Sequence, residues 1–207
     1  MENVLELLSG SLGNKMVSQL SSEVGIGDEQ KTEVAMDSVM KTMLAAIGKN
    51  AQSPQGMQAL DNAIRNDHDG SIFEDIAGNL LNRDAKMAQG NERMLNGAGI
   101  LRNVFGSKEN NVFNSLSKST GVEKNQLMSL AVKLAPFVLG ALGKARNNQS
   151  SGGGLGNILS GVLGSMQSNN SGQSSFLNSI LDQDGDGSIT DDVAGIGMKV
   201  FGNFFRK

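Results

Sequence analysis

Cysteine, tryptophan and tyrosine are absent from the 207 residues, which hold a single histidine and only two prolines. Without cysteine there are no disulfide frameworks, thiolate zinc sites, iron–sulfur clusters or thiol nucleophiles. His68 is the one imidazole, so a histidine-rich metal site is excluded and a serine–histidine triad would rest on that residue alone, with no G-x-S-x-G elbow to supply the serine. Basic charge is not in excess, since the net charge is −3. Aromatic residues do not interleave with a basic stripe, so nucleic acid is not an expected partner. No apolar run reaches the length of a membrane span. The opening residues, Met1-Glu2-Asn3-Val4-Leu5, carry no basic segment, and a cytoplasmic location is expected.

What is present favours helices. The apolar residues are Leu, Ile, Val and Ala with 11 Met and 8 Phe, and no segment sustains a strand's alternation. From Asp28 to Ile47, Met36, Val39, Met40, Met43, Leu44 and Ile47 recur at three- and four-residue intervals, predicting one buried helix face with Gly48 as a C-terminal stop. From Asn125 to Leu142, Leu127, Leu130, Leu134, Val138 and Leu142 predict a second long helix, kinked or broken at Pro136. Met57, Leu60 and Ile64 mark a third, with Ser53 as its cap and Pro54 in its first turn.

Sliding the sequence along itself reveals an internal repeat. Leu20-Ser21 and Gly25-Ile26 match Leu116-Ser117 and Gly121-Val122, and the segment Leu44 to Lys49 matches Leu139 to Lys144. Further on, Asp67-His68-Asp69-Gly70-Ser71-Ile72 matches Asp184-Gly185-Asp186-Gly187-Ser188-Ile189. The reading is an all-α, internally duplicated bundle of two similar lobes, 1–95 and 96–207. The second lobe carries a Gly/Ser-rich insertion, 147–175, whose ends read as linkers. Between them, Leu155 to Met166 is apolar enough for a short docking helix.

The order Gly-Ile/Val, a glutamine-bearing helix, Leu134-Ala135-Pro136-Phe137-Val138-Leu139 and then Gly-Lys resembles the YidB-like bacterial family, a helical domain of unknown function. The resemblance covers much of the chain and implies a small helical bundle. It carries over no catalytic residue. The first copy departs from the Pro-bearing pattern, with Lys41 opposite Pro136.

The acidic loops are the distinctive chemistry. Asp182-Gln183-Asp184-Gly185-Asp186-Gly187-Ser188-Ile189 has an EF-hand-like opening, in which alternating oxygens converge on one hard cation, Gly187 permits the turn and the Ser188 carbonyl adds a ligand. The twelfth position is Val193 where an EF-hand has a bidentate Glu, leaving Asp191 or Asp192 to close the shell. The first copy is the weaker candidate, with Arg65 in the leading position and Asp67, Asp69 and Asp75 remaining. Glu74 and His68 are further candidate ligands there. A bland reading fits both loops: Asp-Gly forms a turn, and Ser71 to Glu74 and Ser188 to Asp191 form helix-starting capping boxes. A sharper reading pairs the two loops through Ile72 and Ile189.

These residues lead to the expectation of a non-enzymatic helical binding or structural protein that binds calcium through its C-terminal loop and meets an unidentified protein partner. One alternative is an enzyme holding a catalytic divalent ion on the acidic loop. Another is a membrane-surface or assembly protein using the Gly-rich insertion and the tail, Val200, Phe201, Phe204 and Phe205. The membrane surface is not favoured, because a final helix more often packs into a core. Gly152-Gly153-Gly154-Leu155-Gly156 lacks the ending of a phosphate loop and reads as a linker.

Overall fold

The computed structural model describes residues 4, 8, 14–68, 70, 96–148 and 154–168. The described residues are helical, with no strand among them: α1 (Asn14–Val24), α2 (Glu29–Asn50), α3 (Pro54–Asp67), α4 (Gly97–Phe105), a 3-10 turn (Gly106–Lys108), α5 (Glu109–Thr120), α6 (Lys124–Asn148) and α7 (Leu155–Ser168). Val4 and Leu8 are also helical and buried. The expected all-α fold is what the chain adopts. The second acidic loop, Asp182 to Val193, lies outside the described residues, as do Asp69, Ser71, Ile72, Glu74, Asp75 and the Phe-rich tail.

Caps set the helix starts. Asp28 is extended and accepts from the Lys31 amide at 3.0 Å, and Ser53 accepts from the Gly56 amide at 3.0 Å ahead of Pro54. Each satisfies an amide that a helix start leaves without an intrahelical partner. The two turns that match in sequence also share a construction. Gly25 after α1 and Gly121 after α5 both take positive φ, 75° and 67°, the left-handed geometry that ends a helix. Ile26 and Val122 then lead into α2 and α6.

The two long helices form the centre, and the most extensive packing is between α2 and α6, followed by α4 on α6. Every residue of the α2 stripe from Met36 to Ile47 is buried, and Leu127, Leu130, Leu134, Val138 and Leu142 of α6 have no exposed surface. α1 and α5 each pack on both long helices. One core cluster runs through both halves of the chain and takes in Leu155, Ile158, Leu159, Val162 and Met166 of α7. Among the described residues α6 is the one helix with the length and apolarity of a membrane span, and 72% of that apolar window is buried in the bundle.

Two local expectations are corrected. Gly48 does not stop α2, which runs on to Asn50. A Cβ at Gly48 would come within 2.9 Å of Leu163 Cδ1, so the glycine lets α7 approach the helix instead. Pro136 does not break α6, which is continuous over 25 residues. Proline has no N–H, so the carbonyl four residues earlier, Val132, lacks its usual helical donor. The start of α4 occupies that place: a Cβ at Gly97 would fall on the Val132 carbonyl oxygen, so only glycine fits there. The proline and the glycine together make a close α4–α6 crossing.

Candidate functional site

Two features stand out, the entry to the first acidic loop and a cleft at the far end of α2. The loop entry is built at the end of α3. Ile64 anchors that helix in the core, and His68 follows as its C-cap with its amide donating to the Ile64 carbonyl at 3.2 Å. His68, a candidate ligand by sequence, is 3% exposed and so is buried at this junction. Gly70 is buried with φ at 100°, and a Cβ there would lie 2.9 to 3.1 Å from the Cβ, N and Cα of Lys144. The loop therefore begins flush against the backbone of α6, at the Gly143-Lys144 pair that served as a landmark of the repeat.

Among the described residues the charged groups near this entry are Asp61, Asp67, Arg65, Arg146 and Lys144. Asp61 accepts from Arg65 Nε at 2.7 Å and pairs with Arg146 Nη2 at 3.1 Å, which ties α3 to α6. Arg65, in the position equivalent to Asp182, thus directs its guanidinium to Asp61, one helical turn back. Lys144 stands on the other side. Of the proposed first-loop ligands only Asp67 and His68 are among the described residues. No group of three or more acidic or histidine side chains placed to hold a metal occurs among the described residues.

The cleft has a volume of about 260 Å³ and lies between the end of α2 and the turn from α4 to α5. Lys49, Asn50, Asn103, Phe105, Ser107 and Lys108 are among its lining residues, and no carboxylate is among the described ones. Asn50 organises the floor, its Nδ2 donating to the carbonyls of Val104 at 2.8 Å and Asn103 at 3.4 Å and so closing the last turn of α4. Phe105 packs edge-on against Phe113 at 5.6 Å and 77°, holding the turn on the core. Among the described residues the wall is polar, with two lysines beside several amide and hydroxyl groups. Sequence reasoning used Lys49 only as a repeat landmark and passed over Lys108, because nothing local joins residues so far apart in the chain.

A third contact fixes the two turns relative to each other. Gln126 accepts from the Glu123 amide at 3.3 Å, in the manner of a capping box, and its Nε2 donates to the Gly25 carbonyl at 2.6 Å. Lys133 meets Glu23 at 2.7 Å beside it.

No curated protein and no solved structure matches the chain. A family profile does match, over residues 6–145, which runs from before α1 to the last turn of α6 and leaves out α7 and the second acidic loop. The chain belongs to that family, described as bacterial proteins of unknown function (DUF937).

Proposed function

We propose that the chain is a non-enzymatic helical binding protein in which only the second acidic loop takes calcium, through Asp182, Asp184, Asp186, the Ser188 carbonyl and Asp191 or Asp192. The first loop is a structural junction. The observation that carries this division is Arg65: a guanidinium stands where the leading carboxylate would be and is paired with Asp61, beside Arg146. A divalent cation entering there meets positive charge. In the second copy Asp182 restores the carboxylate, and three aspartates at alternating positions repel one another until a hard cation neutralises them.

The YidB-like likeness names no activity, so the calcium reading rests on the chain's own residues. Isothermal titration calorimetry on the full chain tests it. The expected result is one calcium per chain for wild type and for Asp67→Ala, and none for Asp184→Ala. Equal heats for wild type and Asp184→Ala would remove calcium from the account of this loop.

A further inference from the structure

We propose that α7 is a detachable occupant of a helix-docking groove formed by α2, α3 and α6, and that this groove also accepts α7 from a second copy of the chain. α7 lies against all three helices, most extensively against α2. Leu155, Ile158, Leu159, Val162 and Met166 recur at helical spacing and are buried, while Asn157, Ser160 and Gly161 face solvent. The seat is shaped for this sequence. Leu163 occupies the space beside α2 that a side chain at Gly48 would take, and Met57 Cε on α3 lies 3.7 Å from where a Cβ at Gly156 would stand. A second copy carries the same glycine and leucine at the same spacing, so its α7 matches the groove residue for residue.

Composition makes α7 separable from the helices beneath it. It holds Gly156, Gly161 and Gly164 among 14 residues, with no acidic group in its first turn and no basic group in its last. Glycine is a weak helix former, and so short a helix is marginal in water on its own. Docking is therefore what keeps α7 helical. The family profile ends at residue 145, before α7 begins, so α7 lies outside the unit that the family shares. Between Asn148, the end of α6, and Leu155, the start of α7, the sequence is Gln149-Ser150-Ser151-Gly152-Gly153-Gly154, with no apolar side chain to offer a core. The acidic loops take no part in this docking, which stands or falls apart from calcium binding.

Hydrogen exchange of the full wild-type chain, read by mass spectrometry, tests whether α7 detaches. After correction for intrinsic rates, amides of α7 are expected to exchange at least about a hundredfold faster than those from Met36 to Ile47, which open only with the core. Equal protection of the two segments would overturn the proposal. Binding in trans is tested with a full-length Ile158→Asp, Leu159→Asp variant, in which charge on the buried face of α7 empties the groove. Its ligand is a labelled peptide of residues 154–168 with a lysine tail for solubility. The variant should keep its cooperative melt and bind the peptide at least about tenfold more tightly than wild type, whose own α7 competes at the high effective concentration of a tethered segment. A peptide carrying the same two aspartates should not bind. Loss of the cooperative melt would make α7 part of the core and overturn the proposal. So would a folded variant that binds no peptide, binds both peptides alike, or binds no more tightly than wild type.

Discussion

Gly70 shows how one missing side chain fixes the path of a loop. Its φ of 100° is strained for any L-residue, and a Cβ would also press on the backbone of Lys144, which cannot rotate away. Gly27 offers the internal comparison, with φ at 71° but open space around it. Left-handed strain alone costs about 1–2 kcal/mol. Gly27→Ala is therefore expected to destabilise the protein by about 1 kcal/mol and Gly70→Ala by about 3 kcal/mol, the excess being overpacking. Urea midpoints of the two variants decide it, and equal midpoints would show that the loop entry moves freely off α6. At this scale the Ser53 cap was legible in the sequence, because it acts on an amide three residues away. The burial of His68 and the pairing of Asp61 with Arg146 were not, since both depend on α3 meeting the rest of the bundle. Gly48 was misread for the same reason: a stop signal and a close helix approach both call for glycine, and only the position of Leu163 tells them apart.

Among the elements, α6 is where local rule and tertiary packing meet. Its apolar spacing identified it, and its five predicted core residues, from Leu127 to Leu142, are all fully buried. Pro136 argued for a break that does not occur, because α6 packs against α2 and α4 on either side and burial outweighs one lost helical hydrogen bond, about 1 kcal/mol net. The carbonyl that proline leaves without its usual donor is where Gly97 comes closest. Gly97→Ala is then expected to push α4 away from α6, at a cost of about 3 kcal/mol, although alanine is the better helix former by about 1 kcal/mol. A Gly99→Ala variant in the same turn is the comparison, since the nearest atoms to its Cβ belong to the Asn96 capping side chain and not to the backbone of α6. If Gly97→Ala proves neutral or stabilising in urea denaturation, the close crossing does not limit how α4 packs. The first copy has Lys41 at the position of the proline, paired with Asp37 at 2.8 Å, so it obeys ordinary helix rules there.

For the whole molecule, the repeat in the sequence suggested two lobes meeting near residue 95, and the packing sets a test of that division. The strongest contact between elements joins α2 of the first half to α6 of the second, and α1 and α5 each bridge both long helices. Met43 and Leu44 on α2, and Leu130 and Leu134 on α6, have no exposed surface in the bundle. Exposing one such side chain costs about 1.5–3 kcal/mol, so baring these four alone is comparable to the roughly 5–15 kcal/mol that holds a domain together. Fragments 1–95 and 96–207 made separately are therefore expected to show weak helical circular dichroism and no cooperative melt, and to regain both when mixed. Gln126→Ala, which removes the bond to the Gly25 carbonyl, should weaken that reassociation by about 1 kcal/mol. A cooperative melt of 1–95 alone would show instead that each half carries its own core and that the α2–α6 contact is an interface between two domains.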